Sequence, residues 1–435
     1  MKFYSTRKKS PVVNFEEALF TGQAVDGGLF MPESFPQLYG GKSTSTKDKS
    51  YNQFIFDVAR PWFSEEIPDE PLYEIIQQAY TFSPILKTLD RQTLCLELFH
   101  GPTLSFKDFG ARFMARAMCY FHEKRQREIT ILVATSGDTG SAVARAYHRI
   151  EGIRVVLLYP SGKVSGLQEK QLTTIGDNVL ALEVEGTFDD CQALVKKAFA
   201  DRNLKKRFNL TSANSINIGR LLPQSFYYGW AVSTLLDAGY PKVNVCVPSG
   251  NFGNLCGGLF AQQSGLPVNK FVAAVNANRV VPDYLETGAY RPRPSIETLS
   301  NAMDVGNPSN WERIIRIFDH DPQLLKKHLW STSVSDEETR AMIKSVHSSF
   351  SYIIDPHTSV GFAAVDRFRQ ECSPASDESF LILSTAHAGK FHDIVSGAIE
   401  KDFPLPEELQ KALELPKNAT KIPADFGALT DLLSF

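Results

Sequence analysis

The stretch Val243-Asn-Val-Cys-Val-Pro-Ser-Gly-Asn-Phe-Gly-Asn254 carries the strongest local signal for the fold. It predicts a strand over 243–247, a turn over 248–254 and a helix over 255–264. Gly250 and Gly253 allow the backbone to approach an oxyanion, and the helix start presents unpaired N–H groups. The turn matches neither GxGxxG nor GxxxxGK[ST], so dinucleotide and Walker-type nucleotide sites lack their fingerprint. A tight turn without a ligand is the alternative interpretation of this segment alone.

The same alternation of strand and helix extends in both directions along the chain. Apolar runs predict strands at 93–99, 129–134, 155–159, 179–184, 271–275 and 380–384. Helical spacing of apolar residues predicts helices at 109–121, 141–150, 167–175 and 188–199. This alternation is typical of an α/β fold with parallel sheets covered by helices, in which ligands bind beyond the carboxyl ends of the strands.

Composition excludes several functional classes. The 435 residues predict two to four domains, and a net charge of −3 disfavours a nucleic-acid surface. The six cysteines are scattered singly, so neither a metal site nor a disulfide framework is indicated. The first residues lack the apolar core of a signal peptide, and no apolar run approaches the ~20 residues of a membrane span. We expect a cytoplasmic protein without a membrane, nucleic-acid or metal partner.

A second turn has the sequence Ala134-Thr-Ser-Gly-Asp-Thr-Gly-Ser-Ala142. It places four hydroxyl groups and two glycines between a predicted strand and a predicted helix. Such a loop can donate hydrogen bonds to a carboxylate or a phosphate. It fits equally well a capped helix start, with Asp138 or Thr139 as the N-cap residue.

A third segment, Glu97-Leu-Phe-His-Gly-Pro-Thr-Leu-Ser-Phe-Lys-Asp-Phe-Gly110, contains Lys107 in apolar surroundings. Phe106 and Phe109 flank this lysine, and the segment predicts that it lies just before a helix. Removal from water lowers the pKa of a lysine and makes its amine a usable nucleophile or base. The alternative is a surface lysine paired with Asp108.

Taken together, a reactive lysine, a glycine turn and a hydroxyl-rich loop are what a pyridoxal-phosphate enzyme requires. The sequence closely resembles the threonine synthase family, of the longer type with an added N-terminal domain. The resemblance extends over nearly the whole chain in family order, through the runs 26–32, 96–109, 134–142, 212–220, 248–253, 299–304 and 384–387.

The resemblance implies the pyridoxal-phosphate fold type II, similar to tryptophan synthase β-chains: two parallel-type sheets covered by helices, plus an N-terminal domain. We expect an N-terminal domain at 1–95, a large cofactor-binding domain at 96–128 and 240–435, and a smaller substrate-binding domain at 129–239. The resemblance also implies a role for each of these residues: Lys107 as the Schiff-base lysine; Ser249, Gly250, Asn251, Phe252, Gly253 and Asn254 around the cofactor phosphate; Thr385 at the pyridine nitrogen; Thr135, Ser136, Gly137, Asp138 and Thr139 at the substrate carboxylate; and Lys163, Asn214 and Arg220 as further substrate contacts.

The implied activity is that of a lyase which converts O-phospho-L-homoserine and water to L-threonine and phosphate, the last step of threonine biosynthesis. A γ-elimination precedes the β-addition of water, in a monomer or homodimer. Two alternatives stay open at this point. One is a serine or threonine dehydratase of the same fold type, and the other is a binding protein without cofactor.

Overall fold

The computed structural model describes residues 1–39, 45–125, 128–135 and 137–433. Its strands are β1 (Lys2–Ser5), β2 (Val13–Asn14), β3 (Phe30–Pro32), β4 (Ile85–Thr88), β5 (Thr93–Glu97), β6 (Ile129–Ala134), β7 (Ile153–Pro160), β8 (Val179–Glu185), β9 (Leu210–Thr211), β10 (Lys242–Pro248), β11 (Val268–Val275), β12 (Leu329–Ser333), β13 (Glu378–Ser384) and β14 (Thr420–Pro423).

The helices connect these strands and cover the sheets. They are α1 (Phe15–Thr21), α2 (Tyr51–Phe63), α3 (Asp69–Ala79), α4 (Lys107–Arg125), α5 (Asp138–Tyr147), α6 (Gly166–Thr173), α7 (Phe188–Ala200), α8 (Arg202–Arg207), α9 (Ile218–Leu221), α10 (Gln224–Asp237), α11 (Gly253–Gln263), α12 (Val280–Thr287), α13 (Trp311–Ile317), α14 (Pro322–His328), α15 (Asp336–Phe350), α16 (Pro356–Cys372), α17 (His392–Ile399), α18 (Glu407–Glu414) and α19 (Phe426–Leu433). Short 3-10 turns lie at Asn301–Met303 and Ala388–Phe391.

The described strands form three sheets. One has the order β12-β11-β10-β13-β5-β4 and is parallel except for the β4–β5 pair. The second has the order β14-β8-β7-β6-β9 and is parallel throughout. A small antiparallel sheet, β2-β1-β3, lies at the N-terminus. The predicted α/β fold with two parallel-type sheets and an added N-terminal part is therefore confirmed.

Helices on both faces explain why the central strands read as unbroken apolar runs. All six residues of β6 are buried, as are six of the seven residues of β13. The helix α16 packs against β10, β11 and β13, and α7 packs against β6 and β7. A strand that is covered on both sides has no polar face, so its sequence does not alternate.

The predicted element bounds are shifted at two positions that matter for the site. The helix α4 begins at Lys107, two residues before its predicted start, and α11 begins at Gly253. In both cases the first helical turn contains residues that the sequence had assigned to a loop. Lys107 is thus the first residue of a helix.

The predicted domain division stays a proposal, and the strand order bears on two of its limits. The segment 1–95 includes β4 and the first residues of β5, which belong to the six-stranded sheet. Near the other end, β14 pairs in parallel with β8 in the five-stranded sheet, although the division assigns residues 420–423 to the large domain. Within the described ranges, no helix is long and apolar enough to cross a membrane.

Candidate active site

Lys107 is held in place by a loop that pairs with the end of β13. The N–H of Phe106 donates to the carbonyl of Thr385 over 2.9 Å, and the N–H of His387 donates to the carbonyl of Leu104 over 3.1 Å. These bonds place the lysine beside the residue that follows β13. Because β13 lies between β10 and β5, Lys107 lies at the carboxyl ends of central parallel strands, where ligands of such sheets bind.

The alternative pairing of Lys107 with Asp108 is wrong. The Asp108 carboxylate is fully buried and accepts hydrogen bonds from the N–H and the hydroxyl of Thr103, both over 2.8 Å. Burial raises the pKa of Asp108 to about 6, against the lowering effect of the bonds from Thr103. Successive residues at a helix start point in different directions, and here they face different surroundings.

The amine of Lys107 instead faces Asp138, with 3.8 Å between Nζ and Oδ2. Burial lowers the pKa of the Lys107 ammonium to about 8. The Asp138 carboxylate opposes this change, whereas the cations Lys390 and Arg220 reinforce it. A pKa of about 8 leaves roughly a tenth of the amine unprotonated at pH 7, where an ordinary lysine has less than about one part in a thousand. The unprotonated form is what a nucleophilic amine needs.

Lys390 is a buried lysine that sequence reasoning missed. Its Nζ lies 2.8 Å from Oδ1 of Asp138 and donates to the carbonyl of Thr103 over 2.7 Å. Burial raises the pKa of Asp138, but Lys390 and Lys107 outweigh that effect and hold it well below its ordinary value. The only signal in the sequence was the position of Lys390 in the loop that also contains Thr385.

The glycine turn between β10 and α11 lines the same cavity, and Ser249, Gly250, Asn251, Phe252, Gly253 and Asn254 all belong to its wall. Phe252 adopts a left-handed conformation (φ 58°) that turns the chain into α11. The side chain of Asn251 donates to the hydroxyl of Ser215 over 2.7 Å. The side-chain oxygen of Asn254 accepts from the hydroxyls of Tyr227 and Tyr228. Its side-chain nitrogen is buried and has no partner among the described residues. A helix start with an unpaired amide donor suits an anion.

A second loop packs on this turn. A Cβ on Gly250 would lie 2.5 Å from Cα of Met303, so only glycine fits there. The Met303 loop is tied down by Asp304, which accepts from Asn276 over 2.8 Å, and by the N–H of Ala302, which donates to Nε2 of His357 over 3.2 Å. The sequence predicts only a close approach of an oxyanion at Gly250, and the packing of Met303 is an additional reason for glycine there.

The hydroxyl-rich loop does not form the alternative structure, a helix start capped by Asp138 or Thr139. Gly137, with φ 142°, precedes α5, and neither Asp138 nor Thr139 is the N-cap residue. A Cβ on Gly137 would lie 2.9 Å from Cδ of Gln168. The Thr135 hydroxyl oxygen accepts from the N–H groups of Gly137 and Gly140, so it shapes the loop. Thr135, Asp138 and Thr139 line the cavity, and Ser136 lies outside the described residues.

The three further residues predicted to contact the substrate do not all lie at the cavity. Asn214 and Arg220 line the cavity, whereas Lys163 is outside its wall, half exposed, with Nζ 3.9 Å from Glu297. Arg220 is buried and donates from Nη1 to the carbonyl of Ala213 over 2.5 Å. Its Nε finds no partner in the part of the chain that the structure describes. Burial lowers the pKa of Arg220 to about 10, which leaves it cationic at neutral pH.

The N-terminal segment completes the wall. Asp26 accepts hydrogen bonds from the Ser5 hydroxyl over 2.7 Å and from the N–H of Gly28 over 2.9 Å. Burial raises the pKa of Asp26, but these bonds lower it to about 2. The turn thus fixed brings Gly27 and Leu29 to the cavity. The whole cavity, of about 1180 Å³, also includes Thr385.

Family models match the chain in three overlapping parts. A model described as threonine synthase N terminus matches residues 2–80. A model described as pyridoxal-phosphate dependent enzyme matches residues 77–385. A model described as threonine synthase, C-terminal, matches residues 358–433. The second of these contains the reactive lysine, the glycine turn and the hydroxyl-rich loop.

Individual relatives match over their full length. The threonine synthase of Serratia marcescens is 41% identical over 434 residues, which cover 100% of this chain and 99% of the relative. The crystal structure of threonine synthase from Escherichia coli superposes with a TM-score of 0.92 at 40% identity, covering 100% and 99% of the two chains. A pyridoxal-phosphate-bound threonine synthase from Brucella melitensis also gives a TM-score of 0.92, at 33% identity, covering 100% and 98%.

Proposed function

We propose that the substrate of this protein is O-phospho-L-homoserine, because the chain belongs to the threonine synthase family of pyridoxal-phosphate-dependent lyases. Water is the second substrate, and L-threonine and phosphate are the products. The observation that carries this proposal is the largely buried amine of Lys107, which faces a cavity shared with a glycine turn at a helix start and with a buried arginine.

The residues present fit pyridoxal phosphate. The N–H groups at the start of α11 and the unpaired amide nitrogen of Asn254 supply donors for the cofactor phosphate within the Ser249–Asn254 turn. Thr385, which follows β13, is the candidate partner of the pyridine nitrogen. The amine of Lys107 is the attachment point. When bound, the cofactor supplies an electron sink for the substrate's α-carbon.

Lys107 is the proposed proton carrier. Its low pKa suits removal of a proton from the α-carbon of the substrate and later transfers at the β-carbon. The neighbouring Asp138 balances the charge when the amine holds a proton. The loop Thr135–Thr139 is the proposed contact of the substrate carboxylate, since the start of α5 offers backbone donors there.

Arg220 is the proposed contact of the substrate phosphate, together with Asn214. A buried guanidinium presents several donors and stays charged at neutral pH. Lys163 supports this role less well, because its ammonium is half exposed and faces Glu297 away from the cavity wall. We therefore propose Arg220 as the main source of selectivity for a phosphorylated substrate over serine or threonine.

The test is a coupled measurement on the full-length protein loaded with pyridoxal phosphate. Incubation with O-phospho-L-homoserine should release inorganic phosphate and L-threonine in equal amounts. The same protein with L-serine or L-threonine should form little oxoacid, which separates this activity from that of a dehydratase. Oxoacid formation without phosphate release would contradict the proposed substrate.

A further inference from the structure

The side chain of Lys390 carries an ammonium group that has no access to solvent. Its side chain has 0% exposed area, and its Nζ reaches only the Thr103 carbonyl at 2.7 Å and the Asp138 carboxylate at 2.8 Å among the bonds of the described residues. A buried charge is tolerated only when it is paired and hydrogen-bonded. Lys390 depends on Asp138 for that pairing.

Two groups bind one oxygen of the Asp138 carboxylate. Its Oδ1 accepts from Lys390 and, over 3.0 Å, from the side-chain amide of Gln168. Its Oδ2 lies 3.8 Å from Nζ of Lys107, longer than the ~2.7–2.9 Å of a charge-assisted hydrogen bond. The Asp138 carboxylate therefore forms a close ion pair with Lys390 through Oδ1. Its other oxygen, Oδ2, faces Lys107 at a longer distance.

We propose that Lys390 is a positioning residue that occupies Asp138 and so keeps the amine of Lys107 out of a close ion pair and free to react. This inference rests on the proposed role of Lys107 as the attachment point of the cofactor. The amine nitrogen can bond to the aldehyde carbon only after it has lost its proton to solvent, and the aldehyde oxygen then leaves as water. A close ion pair with Asp138 would oppose that loss.

The sign of the effect follows from the charges that face Lys107. Asp138 at the start of α5 attracts its proton, while Lys390 and, on α9, Arg220 repel it. The Asp108 carboxylate is engaged by Thr103. Without Lys390, one repelling charge is lost, and Oδ1 of Asp138 keeps only the neutral amide of Gln168, so the carboxylate can turn toward Lys107. Both changes make the amine hold its proton to higher pH.

The experiment follows the recombination of the cofactor-free, full-length chain with pyridoxal phosphate. The rate at which near-visible absorbance appears is measured as a function of pH. In Lys390→Met, which keeps the length and removes the charge, the midpoint of this profile should rise by roughly one pH unit or more. Lys390→Arg keeps a cation and should stay near the parent. Lys401→Met, at an exposed lysine nearby in sequence, is the matched control.

A midpoint unchanged in a folded Lys390→Met variant would overturn the inference. If that variant does not fold, Lys390→Gln takes its place, because it keeps a side-chain N–H donor for Thr103 and Asp138 and removes the charge. An unchanged midpoint in that variant would also overturn the inference. Borohydride reduction of the parent, followed by peptide mapping, tests the premise separately. Cofactor found on another lysine would refute the role of Lys107, whatever Lys390 does.

Discussion

The backbone of Met303 packs against Gly250, so that a Cβ at position 250 would lie 2.5 Å from the Met303 Cα and 3.0 Å from the Ala302 carbonyl oxygen. For Gly253, three residues later, the atoms nearest to the Cβ position are side-chain atoms of Ser215 and Asn310, at 3.2 and 3.3 Å. The two glycines of one turn therefore have different reasons to be glycine. Gly250 joins two loops of the active site.

Gly250→Ala should lower both thermal stability and the affinity for pyridoxal phosphate, because backbone atoms of the Met303 loop must move. Overpacking of this kind costs about 1–3 kcal/mol. Gly253→Ala is the matched control: its neighbours can shift by a few tenths of an ångström, and alanine favours a helix. Thermal unfolding and cofactor titration of both variants measure the difference. Equal effects at the two positions would contradict the packing argument.

Lys107→Ala should abolish covalent attachment of the cofactor and turnover while the protein stays folded. Asp138 keeps its close partner Lys390 in this variant, so no buried carboxylate is left unpaired. Borohydride reduction and intact mass measure attachment, and phosphate release measures turnover. Activity within about tenfold of the parent, a difference of ~1.4 kcal/mol in the barrier, would refute the assignment.

Arg220→Met should raise KM for O-phospho-L-homoserine by about one to two decades, since a charge-assisted hydrogen bond contributes about 1.5–3 kcal/mol. Lys163→Met is the comparison, because this lysine faces Glu297 outside the cavity wall. Its KM should stay near that of the parent. Steady-state phosphate release gives both values, and thermal unfolding of Arg220→Met checks for loss of the bond to the Ala213 carbonyl. The opposite order of effects would transfer the phosphate contact to Lys163.

Thr385→Asp should shift the near-visible absorbance of the bound cofactor, because a carboxylate holds a proton on the pyridine nitrogen and a neutral hydroxyl does not. Thr385→Val keeps the shape and removes the hydrogen bond, so it should lower kcat with a smaller spectral change. Both variants retain the backbone carbonyl that accepts from Phe106. Parental spectra and kinetics in both would exclude Thr385 as the pyridine partner.

The parallel strands could be predicted because their burial on both faces leaves unbroken apolar runs. The strands 129–134 and 380–384 were found in this way, and each ends at a loop that lines the cavity. The short strands β4, β9 and β14 were not found, because an edge or two-residue strand has no such run. Their positions depend on the sheets that they join.

The site was predicted where its residues are close in sequence and missed where they meet only in space. Lys107, the glycine turn and the hydroxyl-rich loop each form a compact motif. Lys390 contacts Asp138 although the two residues are 252 positions apart in the sequence. Nothing in the sequence around Lys390 indicates that it is buried. Pairing of charges across a fold depends on the completed tertiary structure.

The pairing of β14 with β8 has a consequence for the newly made chain. The strand β8 is complete once residue 185 has been synthesised, but its partner at 420–423 is synthesised much later. Until then the five-stranded sheet has an open edge at β8, with unpaired backbone groups of the kind that promotes aggregation. A nascent or truncated chain that lacks residues 420–423 should therefore depend on chaperones more strongly than a chain that contains them.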